Sequence, residues 1–386
     1  MLDVSTLPKL GLGALRPPMK DDQIDVEEFN KIIDLAMAEG VNYFDTSHLY
    51  HQGNSERALG LSLVKRHPRE SFILATKIGA WGCKSPADME RIFKEQLQRL
   101  GVEYFDMYLL QSLEESHMHL YNDMDYDFWG FGRRLKEKGL IKHFGFSFHD
   151  TPERLDEHLT KHPEAEFVQL QLNYLDWENP IVQSRGCYEV ARRHKKPIIV
   201  MGPIKGGILA SMEPHMEAKL KAQRPDDSIA SWALRFVLGL PGVATILSGM
   251  STAEQLEDNA ATVKYYQPFS EKEEFYLGEV TTELLASPTV ACTACNYCVA
   301  DCPAKINIPQ IITGYNTVLL YGDHARAHFF YRGLMLKSAP ASACTSCGTC
   351  EKICPQHVKV MEVMGKASEV FDAKDKPPPT TPRTGP

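Results

Sequence analysis

Eight cysteines in this chain follow one spacing, written twice. "CTACNYCVADCP" places Cys292, Cys295, Cys298 and Cys302 before Pro303, and "CTSCGTCEKICP" places Cys344, Cys347, Cys350 and Cys354 before Pro355. C-x2-C-x2-C-x3-C-P is the thiolate run of bacterial [4Fe–4S] sites. Three thiolates at this spacing wrap one corner of a cube. The fourth normally serves the other cluster, so the expected sets are Cys292, Cys295, Cys298 with Cys354, and Cys344, Cys347, Cys350 with Cys302. Each proline ends its local helix and helps turn that fourth thiol away. Structural zinc also uses C-x2-C pairs and is the competing reading. The two remaining cysteines, Cys83 and Cys187, stand alone and read as packed thiols.

A second group of residues suits proton transfer. In "NYFDTSHLYHQGNSERALG", Asp45 ends an apolar run and Tyr50 follows five residues on; "FILATKIG" ends a second run at Lys77. A lysine ending an apolar strand is costly unless its ammonium is paired, and Asp45 is the candidate partner. A tyrosine beside that ammonium has its phenolate favoured, which improves it as a general acid/base. A structural Lys–Asp pair with a packed tyrosine is the bland alternative. The run "YFDMYLLQ" (104–111) ends instead on a polar amide, Gln111. A buried amide needs its hydrogen bonds satisfied.

These residues need elements to hold them. Short β-rich runs lie at 9–15, 42–47, 72–78, 104–111, 143–149, 167–173, 197–203 and 244–250, with amphipathic helix patterns between them. In "VEEFNKIIDLAMAEG" (26–40), Phe29, Ile32, Ile33, Leu35, Ala36 and Met37 make an apolar face and Gly40 a stop. "SPADMERIFKEQLQRLG" offers Ser85 as cap, Pro86 at the first helical position and Gly101 as terminator. Eight β/α units predict an α/β fold, a (β/α)8 TIM barrel over 1–280, with the chemistry at the C-terminal strand ends. An open doubly wound sheet would more often show a third glycine after "GLG". An α-helical domain is expected over 281–371, with a helical stretch at roughly 308–336. The Pro/Thr-rich end, 372–386, is expected to be a disordered tail.

The blocks "FDTSHLYHQGNSERALG", "LATKI" and "FDMYLLQS" resemble the aldo/keto reductases over roughly residues 5–270. With the cysteine runs, the whole chain resembles that family's iron–sulfur subgroup, and the spacing of the runs resembles the α-helical ferredoxin module of respiratory oxidoreductases. The resemblance implies an oxidoreductase in which Tyr50 donates a proton to a carbonyl oxygen, Lys77 tunes it and Asp45 holds Lys77. Gln111 stands where the family carries a histidine. A glutamine can donate to a carbonyl but cannot pass a proton near neutral pH. His48, His51 and His149 are the candidate replacements. The departure also admits an enone as substrate beside a carbonyl or alcohol.

By the same resemblance, Ser147 and Gln169 would grip the nicotinamide amide, with Phe148 where an asparagine is common. Met201 replaces the stacking aromatic beside Gly202. Lys205, Gly206 and Gly207 follow the seventh strand, where barrels bind phosphate. Gln255 and Asn259 match adenosine-side positions. Gly249 and Gln255 replace basic residues that grip a 2′-phosphate, which favours NAD(H) over NADP(H) as the NAD(P)(H) cofactor. Clusters pass one electron and nicotinamides a hydride, so a flavin, in the barrel or on a partner, is the simplest converter. A ferredoxin or a flavoprotein is the candidate redox partner. An electron-transfer protein whose barrel has lost carbonyl chemistry is the alternative.

The net charge of -8 argues against nucleic acid, and 43% hydrophobic with 24% charged residues describes a soluble globular chain. No apolar run reaches about 18 residues, so no membrane span is expected. The N-terminus lacks a signal-peptide pattern. Oxygen-sensitive clusters imply a reducing cytoplasm, that of an anaerobe.

Overall fold

The computed structural model describes residues 3–114, 117–179, 182–286, 289–321 and 324–372. Eight parallel strands close into a barrel: β1 (Leu10–Gly13), β2 (Tyr43–Asp45), β3 (Ile73–Gly79), β4 (Phe105–Leu113), β5 (Ile141–Phe148), β6 (Val168–Gln171), β7 (Ile198–Met201) and β8 (Val243–Ser248). Each strand pairs with the next, and β8 closes on β1 with Leu12 opposite Ser248. The predicted runs all become strands, most of them trimmed at the ends.

The near-continuous apolar character of these runs follows from burial on both faces. Tyr43, Ala75, Met107, Leu109, Phe167 and Ile199 fill the barrel interior, joined by Val4 and Leu7 from the N-terminal segment. The opposite faces meet the surrounding helices. Val26–Ala38 buries Phe29, Ile32, Ile33 and Ala36, while Leu35 and Met37 are half-buried at the margin. Asp25 caps it through the Glu28 N–H, and Gly40 leaves it with φ +78°. The helix expected after Ser85 starts differently from expectation. It spans Ala87–Leu100, Pro86 occupies the cap position, and Ser85 caps nothing. Asp88 instead reaches back to accept the Lys84 and Ser85 N–H groups, both at 2.9 Å.

The chain divides into two compact units, Met1–Thr281 and Thr282–Pro386. In the second, helices Ile308–Tyr321, His324–Leu334 and Val360–Phe371 pack around Ile311, Ile312 and Met364. Tyr331 stacks on Phe371 with ring centres 4.4 Å apart. The single helical stretch predicted at 308–336 is thus two helices. Of the expected tail, residues 373–386 lie outside the described residues. Among the described residues no helix is long and apolar enough to cross a membrane.

One glycine is demanded by packing. A Cβ on Gly145 of β5 would lie 2.5 Å from the Phe167 carbonyl oxygen and 2.8 Å from its ring. Gly145→Ala is expected to destabilise the barrel by about 1–3 kcal/mol in urea unfolding through overpacking. Gly278→Ala, at an exposed helical position where a Cβ meets nothing within 4 Å, should instead be neutral or stabilising by up to about 1 kcal/mol.

Candidate functional site

Asp45, Lys77 and Gln111 end up together because β2, β3 and β4 are neighbours in register. Asp45 pairs with Ala75, and Gly79 with Gln111. Lys77 is 1% exposed. Its ammonium donates to Asp45 Oδ1, to the Thr46 carbonyl at 3.0 Å and to the Tyr50 hydroxyl at 3.4 Å. Asp45 Oδ2 accepts from Gln169 Nε2 at 3.2 Å. Burial raises the Asp45 carboxyl, and the Lys77 charge opposes that rise. Tyr50 is half-buried at the head of a turn in which His51 and Gln52 take positive φ.

Gln111 sits at a β-bulge. Leu110 pairs with Phe146 and Leu113 with Phe148, so Gln111 and Ser112 together face Ser147. Ser112 takes φ +51°, and its N–H donates to Ser147 Oγ at 2.8 Å. Such a bulge re-aims a side chain beside a site. Gln111 Oε1 accepts from the Ser47 hydroxyl, which assigns Nε2 the donor role. The Tyr121 hydroxyl accepts from the Ala80 N–H at 3.1 Å and donates to the Gln111 carbonyl. It ties the loop after β3 to the bulge. Ser47 and Tyr121 carry no local signal in the sequence beyond lying near matched blocks.

The candidate histidines differ in their contacts. His48 Nδ1 lies 3.0 Å from the Lys77 carbonyl, so that nitrogen carries the proton; Nε2 is buried without a partner. Burial lowers His48 to about 4. His51 Nε2 faces the Leu15 carbonyl at 2.9 Å. His149 is half-buried just past β5, its backbone N–H bonded to the Leu113 carbonyl.

The cofactor candidates occupy the same rim. Ser147 and Gln169 are buried, and Met201, half-buried, ends β7. Gly202, Gly206 and Gly207 take φ of +62°, +67° and +101°, a backbone that suits an anion nest. Lys205 does not present its charge there as the sequence suggested. It is 2% exposed and pairs with Asp176 at 2.6 and 2.7 Å. Asp176, fully buried, also accepts from Gln171, Asn173 and Asn179. The pair fastens the loop after β7 to the loop after β6. On the adenosine side, Asn259 donates to Ser248 Oγ at 2.9 Å, and Gln255 accepts the Ser251 N–H at 2.8 Å. Gly249 is exposed, and a Cβ on it would lie 3.6 Å from Arg16 Cβ. The backbone of Arg16 therefore runs beside a corner that looked neutral in the sequence. The donors, the glycine-rich cradle and the neighbouring helix start at Ala253 fit a nicotinamide dinucleotide.

In the second unit the thiols gather across the two runs. Cys298 is raised by burial and then by the sulfurs of Cys295, Cys292, Cys354 and Cys350. A separate cavity is lined by Cys302, Cys344, Cys347 and Cys350 together with Ile306 and Met364. Among the described residues no three His, Cys, Asp or Glu side chains are placed to hold a single metal ion. The Cys302 cavity joins the fourth thiol of the first run to the first three of the second, which is the shared donor set of a [4Fe–4S] pair. Cys83 and Cys187 are buried, and burial pushes both thiols up to about 12.

The state of His48 gives a stability test. Its folded value, about 4, lies below the ordinary 6.5. The unfolded chain takes the proton first as pH falls, so this contribution is complete above pH 6.5 and lost on the way down to about 4. Its size is about 3 kcal/mol. Replacing His48 by Gln should flatten urea stability between pH 6.5 and 4.5 relative to wild type; parallel curves would contradict the buried neutral ring.

Lys205 is tested similarly. Lys205→Met leaves the Asp176 carboxylate buried without its cation, and should cost about 3–5 kcal/mol in the same measurement. Pairing it with Asp176→Leu should recover part of that loss.

Comparison with known proteins agrees with this geometry. The aldo/keto reductase family model matches residues 9–274, and the 4Fe-4S dicluster domain model matches residues 291–359. An uncharacterized oxidoreductase of Bacillus subtilis is 26% identical over 260 residues, 59% of this chain and 79% of that protein. An aldo-keto reductase from Bacillus halodurans superposes with a TM-score of 0.57 at 25% identity, over 71% of this chain and 92% of its own. An aldo-keto reductase from Klebsiella pneumoniae, solved in complex with NADPH, shares the fold at 20% identity and a TM-score of 0.57, over 72% and 91% of the two chains. The chain belongs to the aldo/keto reductase family and joins its (β/α)8 barrel to a 4Fe-4S dicluster domain.

Proposed function

We propose that this oxidoreductase interconverts a carbonyl, or an enone, with its reduced form, using Tyr50 as general acid/base. The observation that carries the reading is the Lys77 ammonium, buried between Asp45 and the Tyr50 hydroxyl. In the reducing direction Tyr50 gives its proton to the substrate oxygen as that oxygen gains charge. The Lys77 ammonium then faces the phenolate that forms and stabilises it. Gln111 Nε2 donates to the same oxygen, polarising and orienting it without moving a proton. Oxidation runs the same contacts in reverse. A nicotinamide bound across Ser147, Gln169 and the Gly206–Gly207 cradle supplies or accepts the hydride. NAD(H) is favoured over NADP(H) by the neutral Gly249 and Gln255.

The eight cysteines hold two [4Fe–4S] clusters in this reading, each run lending its fourth thiolate to the other site. Their convergence around Cys298 and in the Cys302 cavity supports it. One-electron clusters and a hydride require a converter, and a flavin on a partner protein meets that need. The oxygen sensitivity of such clusters supports a reducing cytoplasm, that of an anaerobe, as the setting in this reading.

Tyr50→Phe is expected to lower kcat for carbonyl reduction by about 10²–10⁴-fold. Nicotinamide affinity and the cluster absorbance should stay unchanged, which separates lost proton transfer from misfolding. Undiminished turnover would remove Tyr50 from the chemistry. Gln111→His should leave the fold intact and shift activity towards simple carbonyls. For the clusters, Cys354→Ser and Cys298→Ser should weaken the same electron-paramagnetic-resonance signal, and Cys302→Ser and Cys347→Ser the other. Loss sorted by run instead would show that each run holds its own cluster.

A further inference from the structure

We infer that Thr349 is a positioning residue for the second thiolate run: its hydroxyl donates to the Cys347 sulfur and raises the reduction potential of the cluster that Cys347 holds. The inference rests on the ligand sets proposed above, in which that cluster is bound by Cys302, Cys344, Cys347 and Cys350.

The two runs fold alike. Ala294 and Ser346, each just before the second cysteine of its run, take φ of +52° and +54°. Asn296 and Gly348, just after that cysteine, take +66° and +75°. Lys305 and His357, at matching places beyond the fourth cysteine, take +57° and +50°. The short helices Tyr297–Ala300 and Thr349–Lys352 also start at matching places. Tyr297 and Thr349 therefore occupy equivalent positions on the same backbone turn.

Their chemistry differs. Thr349 carries its oxygen on Cβ, and Oγ1 lies 3.5 Å from Cys347 Sγ. An iron-bound thiolate has no proton, so in that state the hydroxyl donates and the sulfur accepts. The Thr349 N–H and the Thr345 hydroxyl bond the same sulfur. The first run repeats the threonine, as Thr293, and the backbone N–H, but not the hydroxyl on Cβ. Tyr297 has its oxygen at the far end of a ring.

Reduction adds one electron to a cluster and deepens the negative charge on its sulfurs. A donor held against one of those sulfurs stabilises the reduced form more than the oxidised one, which raises the potential. Asp301, Glu351, Lys305 and Lys352 bring fixed charges of both signs near these thiols in sequence. They are the same in wild type and in a Thr349 variant, so they drop out of that comparison. The two sites adjoin, since the sulfurs around Cys298 include Cys354 of its own set and Cys350 of the other. Thr349 thereby biases an electron shared by the pair towards the Cys347 cluster.

The test is a potentiometric titration of anaerobically purified full-length protein with dithionite, followed by electron paramagnetic resonance. Thr349→Val removes the hydroxyl and keeps the shape. It should disfavour reduction of one cluster by about three- to tenfold, a downward shift of about 30–60 mV at 59 mV per tenfold for one electron. The other cluster should keep its wild-type midpoint. Thr349→Ser retains the hydroxyl and should titrate like wild type. In the first run, Tyr297→Thr supplies the missing hydroxyl and should raise that cluster's midpoint relative to Tyr297→Val. Unchanged midpoints in Thr349→Val, or an equal fall in Thr349→Ser, would overturn the role of the hydroxyl. If Thr349→Val assembles no clusters, the Tyr297 pair decides, and equal midpoints in its two members would overturn the same claim. Iron and sulfide short of two clusters in the wild type would overturn the ligand sets themselves.

Discussion

A buried ammonium is the constraint around which the barrel rim is arranged. Lys77 is withdrawn from water at the end of an apolar strand, where an unpaired charge would be costly. Its donors are taken by a carboxylate, a backbone carbonyl and a phenol, all from β2 and the loop after it. That arrangement supplies the charge that opposes the burial of the Asp45 carboxyl. It also explains the surrounding polar order. Gln96 donates to the Lys77 carbonyl at 3.0 Å and to the buried Glu56 at 3.0 Å, while Thr76 donates to Glu56 at 2.8 Å. Arg99 closes the network on Glu56 at 3.1 Å. The backbone of Lys77 is therefore gripped from behind while its side chain is gripped in front. Positioning of this kind is what a proton-transfer site needs, because small displacements are expensive in rate.

The second organising device is the use of side chains to fasten loops rather than to meet ligands. Tyr121 joins the loop after β3 to the bulge at Gln111. The Lys205–Asp176 pair does the same for the loops after β7 and β6. In both cases a polar group at depth has its partners supplied by residues distant in the chain, and the visible result is a fixed backbone. The loop after β7 then presents the positive-φ backbone of Gly206 and Gly207, with the lysine paired behind it. Next to Gln111 lies a further polar wall: His117 stacks on Trp81 with ring centres 4.3 Å apart and pairs with Glu114 at 3.0 Å.

Joined to this barrel, the dicluster domain changes what the oxidoreductase is connected to. A nicotinamide-dependent barrel alone exchanges hydrides with a diffusing cofactor. A 4Fe-4S dicluster domain adds thiolates suited to single-electron chemistry, and one of them, Cys347, is exposed. Because barrel and cluster domain are separate compact units, each keeps its own core and its own electrostatic character.

Much of this was legible in the chain itself. Strand runs, helix faces and the cysteine spacing are local patterns, and local burial or ligation writes them within a few residues. Asp45, Tyr50 and Lys77 could be placed on one rim because in a parallel barrel every strand delivers its C-terminal end to the same face. What the sequence by itself could not decide was pairing at a distance. Lys205 reads as a phosphate ligand until closure of the barrel brings Asp176 against it. Gln111 reads as a bare substitution until a two-for-one bulge turns it and Ser47 orients its amide. Each outcome depends on which distant group first satisfies a buried polar atom, and only the closed tertiary structure supplies that group.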